Sequence, residues 1–298
     1  MAQNICTLKL TGSQEKKLFD AWKETQVKTP PYARWQLRPE NCVITCYESG
    51  KTVFQGKDAE VYASPFMKEQ SGIRKTSSER KHSSGNGHDI FPQAGSDEVG
   101  TGDYFGPVCV CATIVTKEDD VLLRKLGVRD SKQLRDSDIR KIAPQIMKQL
   151  TYSLLILPDE KYNEVHAKYN LNALKSILHN QAYVNLTEKA QLPEWKIVDQ
   201  FTPERSYYRY LKDEPVVIRN IHFETKAEDK YPAVGAASVI ARYAFLTYMD
   251  EMEKKWNMKF QKGAGSNADA CARDFVKRYS KEKLGMVAKL HFKNTEKL

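Results

Sequence analysis

Hydrophobic positions change their period several times along the 298 residues. In Cys6-Thr7-Leu8-Lys9-Leu10 apolar and polar side chains alternate, the period of a half-buried strand. Leu18, Phe19 and Trp22 then share one face of a helix that Ser13 is placed to cap and Pro30-Pro31 to stop. Strand-like segments follow at 33–37, 42–47 and 52–55, with Ser49-Gly50 as the turn between the last two. A short helix is expected from Asp58, limited by Pro65. The order β-α-β-β-β-α describes an α+β module over residues 1–67, a curved sheet with helices on one face. Lys9, Arg34, Gln36, Arg38, Lys51 and Gln55 suit the other face equally to phosphate contact and to plain solvation.

Residues 68–89 read KEQSGIRKTSSERKHSSGNGHD, with Ile73 as the large apolar residue. Such a stretch buries too little surface to offset its ordering entropy, and it is expected to be a flexible linker. Beyond it, residues 90–298 read as α/β, with strands at 93–97, 107–116, 151–157, 196–201 and 216–223. The Gly-Thr-Gly loop joining the first two is too short for a parallel crossover, so they pair antiparallel. Helices separate the later strands. One carries Ile139, Ile142, Ile146 and Leu150, with Ser137 near its start, and a longer one covers 171–189. A third starts at Pro232, a favoured first-turn residue, and aligns Val234, Ala237, Ala241, Ala244, Tyr248 and Met252. The sum is a mixed sheet with helices on both faces.

Composition narrows the function classes. A formal charge of +9 with a pI near 9.0 favours an anionic partner. The six cysteines form no CxxC pair and read as thiols in a reducing compartment, with no zinc site at ligand spacing. The start Met1-Ala2-Gln3-Asn4 lacks the pattern of a signal peptide, and no apolar run approaches the roughly 20 residues that span a bilayer. A cytoplasmic monomer without a membrane or an obligate protein partner is expected.

The chemistry is carried by acids at strand ends and before helices. Asp97 and Glu98 close the first strand of the α/β region and are followed at once by Gly100-Thr101-Gly102. Asp199 follows the apolar pair Ile197-Val198, and Asp229 precedes the helix that starts at Pro232. Each has a plainer role open to it, as a helix cap, a strand terminus or a solvated turn. If the four converge, their repulsion calls for positive charge, and two Mg²⁺ or Mn²⁺ ions about 4 Å apart would relieve it and drive phosphodiester hydrolysis. His222 and His291 read as structural, since hydrolysis of this kind requires no histidine.

The stretch Ala94-Gly95-Ser96-Asp97-Glu98-Val99-Gly100-Thr101-Gly102-Asp103-Tyr104-Phe105-Gly106-Pro107 resembles the first motif of the type 2 ribonucleases H, and in detail that of the HIII branch. Asp130-Ser131-Lys132-Gln133-Leu134 resembles the second block and Val198-Asp199 the third. The fourth resembles Lys226-Ala227-Glu228-Asp229-Lys230-Tyr231-Pro232 with Ala236-Ala237-Ser238-Val239-Ile240-Ala241-Arg242. Thr101 between the glycines, and Lys262-Gly263-Ala264-Gly265 without the tyrosine that the HII branch uses to recognise a lone ribonucleotide, favour HIII. So does the first module, which fits that branch's extension folded like half of a TATA-box-binding protein.

The resemblance implies a ribonuclease H-like catalytic domain and endonucleolytic cleavage of the RNA strand of RNA–DNA hybrids, leaving a 5′-phosphate and a 3′-hydroxyl. It implies Asp97, Glu98, Asp199 and Asp229 as catalytic metal ligands for two ions. Gly100, Thr101 and Gly102 would approach the sugar-phosphate and its 2′-hydroxyl through their amides, and Lys132 would meet a phosphate. The basic tail from Phe275 to Leu298 is suited either to a nucleic-acid backbone or to a solvated helix face. Two rivals stand beside this reading: incision at single ribonucleotides in duplex DNA, as in the HII branch, and a non-catalytic nucleic-acid-binding protein, in which acids along a phosphate path would only weaken affinity.

Overall fold

Five short antiparallel strands build the sheet of the first part of the chain. In the computed structural model all residues are described except 1–4, 40–41, 57–58, 60–61, 64–65, 67–89, 129–133, 203 and the side chain of 205. The expected linker at 68–89, and Asp58, Pro65 and Lys132, lie outside the described residues. The chain divides into two compact units, Met1–His82 and Ser83–Leu298.

In the first unit β1 (Ile5–Lys9), α1 (Gly12–Trp22), β2 (Gln26–Val27), β3 (Ala33–Leu37), β4 (Val43–Tyr47) and β5 (Lys51–Gln55) form a sheet of order β1-β5-β4-β3-β2. Thr11, rather than Ser13, caps α1: its hydroxyl accepts from the Gln14 amide, and the Gln14 side chain accepts from the Thr11 amide at 3.0 Å. The two-residue strand β2 has no signature in the sequence because two residues carry no period. Leu18, Leu37, Ile44, Cys46 and Phe54 form the core with Ala59, Ala63 and Phe66 from a further helical segment. On the opposite face Thr7, Val53, Thr45 and Gln36 lie in register across four strands. Arg34 departs from the expected cationic face. A register shift between Ala33 and Trp35 accompanies its ion pair with Glu15 of α1 at 2.8 Å.

The second unit contains β6 (Gln93–Val99), β7 (Val108–Val115), α2 (Lys117–Lys125), α3 (Asp136–Gln149), β8 (Thr151–Leu157), α4 (Asp159–His166), α5 (Leu171–Thr187), β9 (Trp195–Asp199), α6 (Glu204–Tyr210), β10 (Ile221–Glu224), α7 (Pro232–Trp256) and α8 (Ser266–Tyr279). Its sheet has the order β10-β9-β6-β7-β8, parallel from β10 to β6 and antiparallel from β6 to β8. The alternation of β7 explains its unbroken apolar sequence. Cys109, Cys111 and Val115 enter a core with α3, α7 and α8, while Val108, Val110 and Ala112 enter a second core with α5. Helices thus cover both faces.

Three sequence expectations shift. β6 continues through Asp97 and Glu98 to Val99 instead of ending at the acids. β10 begins at Ile221, not 216, because the Asn180 side chain takes up Val216 O at 2.7 Å and Ile218 N at 2.9 Å in place of a strand ladder. The basic tail is α-helical only to Tyr279, with short 3₁₀ turns at Leu284–Met286 and Thr295–Lys297, and within it Lys289 is fully buried. Among the described residues no helix is long and apolar enough to cross a membrane.

Candidate active site

Because β6 and β9 run parallel with Ser96 beside Val198, Asp97 and Asp199 are the next residues on adjacent strands. Strand alternation then sends Asp97 and Glu98 to opposite sides. Asp97 is directed to α7, where the Ser238 hydroxyl donates to it, and its Oδ1 accepts from the Glu98 amide at 2.8 Å. Glu98 is directed to α5 and ion-pairs with Lys175, while His179 Nε2 lies 2.9 Å from its Oε2. His179 is fully buried, with Nδ1 2.7 Å from Ser96 Oγ. Asp199 accepts from the Ala227 amide at 2.8 Å.

The electrostatics describe a cluster short of positive charge on one side. Burial pushes the Asp97 pKa well above the usual carboxylate value, the charge of Glu98 adds to this, and the Ser238 hydrogen bond opposes it. Burial likewise raises Asp199, partly offset by the Ala227 amide and reinforced by the charges of Glu228 and Glu98. Glu98 goes the other way. Burial would raise it, but His179 and Lys175 together outweigh burial and hold it low.

The turn before α7 holds two acids side by side. Glu228 and Asp229 share the short 3₁₀ segment Ala227–Asp229, which begins after Lys226 with φ of +56°. Glu228 is half-buried and its charge bears on Asp199, whereas Asp229 is exposed. Of the two acids in this turn, Glu228 is thus the less exposed one, and its charge is felt at Asp199. Both lie in the same sequence block, in which the resemblance implies Asp229.

Carboxylate oxygens are the donors that hard divalent ions prefer, so this set suits Mg²⁺ or Mn²⁺. Among the described residues no three such groups stand ready as an ion cage, and the oxygens of Glu98 are instead engaged by Lys175 and His179. Lys175, His179 and Ser238 went unnoticed in the sequence as site residues. The one signal available was the four-residue spacing of Lys175 and His179 on a helix.

The glycine loop borders the acids. Gly100 has φ of +97°, and a Cβ there would lie 2.1 Å from the Pro107 carbonyl oxygen, so only glycine fits. A Cβ on exposed Gly102 would meet nothing within 4 Å, which leaves the backbone open to a ligand. The loop is anchored from behind. Asp103 Oδ1 accepts from Gly263 N at 2.6 Å, Tyr104 N donates to Gly263 O at 3.0 Å, and buried Lys289 donates to Asp103 O at 2.9 Å. The motif Lys262-Gly263-Ala264-Gly265 thus supports the loop directly.

A mixed sheet of this order with acids at neighbouring strand ends is the architecture of a type 2 ribonuclease H, and residues 94–295 match the family model described as Ribonuclease HII. Residues 6–79 match a domain of unknown function (DUF3378). A ribonuclease HIII of Bacillus pumilus (strain SAFR-032) is 40% identical over 304 residues, covering 100% of this chain and 98% of the relative. A ribonuclease HIII of Bacillus mycoides (strain KBAB4) is 42% identical over 282 residues, covering 91% and 89%. The solved structure of Bst-RNase HIII in complex with Mn²⁺ aligns with a TM-score of 0.69 at 35% identity, over 99% of this chain and 97% of that one. The chain belongs to the ribonuclease HIII family of metal-dependent endonucleases.

Proposed function

We propose that this chain cleaves the RNA strand of RNA–DNA hybrids at the rim formed by β6, β9 and the turn before α7, with Asp97, Glu98, Asp199 and Glu228 as ligands of two divalent ions. The supporting observation is the pairing of Asp97 and Asp199 on adjacent strand ends with carboxylates whose pKa values burial and mutual charge push upward. Bound Mg²⁺ or Mn²⁺ ions would supply the charge that polarises the attacking water and offsets the charge of the leaving 3′-oxygen. The chain's own groups do the rest. Ser238 and the Glu98 amide hold Asp97, and the Ala227 amide holds Asp199. The amides of Gly100, Thr101 and Gly102 contact the sugar-phosphate and its 2′-hydroxyl, which distinguishes RNA from DNA. Lys132 remains in this proposal as a phosphate contact on the strength of its sequence block alone.

The first unit adds substrate affinity through the face that carries Lys9, Gln36, Lys51 and Gln55. The enzyme works as a cytoplasmic monomer, a reading that six free cysteines favour as regards the compartment. Asp97→Asn and Asp199→Asn should abolish Mg²⁺-dependent cleavage of a labelled hybrid while anisotropy still reports binding. Normal turnover by either variant refutes the assignment. Efficient incision of a duplex holding one ribonucleotide, compared with one holding a run of four, refutes the hybrid preference.

A further inference from the structure

Glu98 is matched by an internal cation. Lys175, in the first turns of α5, is 7% exposed and its ammonium pairs with Glu98 Oε1. The same ammonium stands 4.0 Å from the centroid of the Phe201 ring, two residues beyond Asp199. One turn along α5, His179 takes the other oxygen of Glu98, and its ring stacks on Phe201 at 5.3 Å. Both oxygens of one carboxylate are therefore engaged, and the positive charge of Lys175 also reaches Asp199, where it opposes the effect of burial. A buried ammonium persists only where a carboxylate matches it, and a divalent ion binding Glu98 would compete with Lys175 for that charge.

We propose that Lys175 is a tethered counter-ion that occupies Glu98 until a divalent ion takes its place, the released ammonium keeping the face of Phe201. The inference rests on Glu98 being a metal ligand, as argued above. In this arrangement Lys175 keeps the acidic cluster folded without metal and sets the concentration at which metal enters. It is a positioning residue, acting on Glu98 rather than on the substrate. Cation–π contact gives the displaced charge a partner, so that release does not strand it in an apolar site.

The test is Mn²⁺ binding to the full chain without substrate, followed by calorimetry and by the electron paramagnetic resonance signal of free Mn²⁺. Lys175→Met should bind Mn²⁺ at least tenfold more tightly than the wild type, and Lys175→Arg about as the wild type does. In chelator Lys175→Met should melt at a lower temperature and recover more of that loss on adding Mn²⁺. Equal or weaker binding by a folded Lys175→Met overturns the proposal, because a lysine that merely packs or preorganises Glu98 gives that result. If that variant does not fold, Lys175→Gln, which keeps a donor for Glu98 without the charge, takes its place with the same expectation. Glu98→Gln separates the two levels: unchanged Mn²⁺ binding there refutes Glu98 as a ligand, whereas lost binding with no gain in Lys175→Met refutes the counter-ion alone.

Discussion

Gly95 is the most sensitive lever on the geometry of the acids. It lies on β6 two residues before Asp97, where the strand passes the first turn of α7. A Cβ added there would lie 2.4 Å from Val234 N and 2.7 Å from Ala233 C, backbone atoms that no rotamer change can move. Reaching an ordinary contact of 3.4 Å requires β6 and α7 to separate by about 1 Å. Overpacking of this kind costs roughly 1–3 kcal/mol, and the entropy gained by replacing a strand glycine returns about 0.5–1 kcal/mol. Gly95→Ala should therefore lower stability by about 1–2 kcal/mol. The same displacement separates Asp97 on β6 from Ser238 on α7. A 1 Å misplacement of a reacting group costs on the order of a hundredfold in rate, which corresponds to about 2.7 kcal/mol of barrier. Urea denaturation monitors the first quantity, and single-turnover cleavage of a labelled hybrid at saturating Mg²⁺ the second. Gly102→Ala, whose Cβ meets nothing within 4 Å, is the stability control. A Gly95→Ala protein with the wild-type urea midpoint and the wild-type single-turnover rate would refute the reasoning.

Glu228→Gln should reduce cleavage at limiting Mg²⁺ by tenfold or more, with Asp229→Asn within about threefold of the wild type, each factor of ten being about 1.4 kcal/mol of barrier; the reverse order in metal-titrated rates would restore Asp229 as the ligand. Burial lifts the pKa of Asp159 to about 6 against the opposing charge of Lys289, so its proton is held more tightly in the folded chain than in the unfolded one. The stability this group lends is therefore fully present below about pH 4 and is lost as pH rises through about 6, on the order of 3 kcal/mol in all; equilibrium unfolding across that window should lose this component of its slope in Asp159→Asn, and an unaltered slope would contradict it. Deleting residues 1–70 should raise the apparent substrate constant far more than it lowers the maximal rate, and an unchanged constant across a salt titration would rule out a binding role for the first unit.

Much of the fold was legible because it is written in local chemistry. The unbroken apolar run of β7 belongs to a strand buried on both faces, and Pro232 starts α7 because a first-turn residue needs no amide hydrogen. The short helices α2, α4 and α6 were missed, since 9, 8 and 7 residues hold too few turns to establish a period. The acid types and the glycine loop were also legible, together with their order along the chain. Lys289 was not: in sequence it is one of several tail lysines, and only the packing of the C-terminal segment beneath the glycine loop buries it.

By itself, then, the sequence determined the class of chemistry: carboxylates at strand ends and before a helix, a glycine loop directly after the first pair, and helices able to cover both faces of a sheet. Tertiary structure decided which side chains share that chemistry. It placed the charge of half-buried Glu228 where Asp199 feels it, brought Ser238 to Asp97, and set Lys175 and His179 from a distant helix against Glu98. The physical reason is range. Propensity, capping and turn geometry act over a few residues, whereas the partners of a buried charge are chosen by whichever elements pack around it, about 80 residues away along the chain in the case of Glu98 and His179.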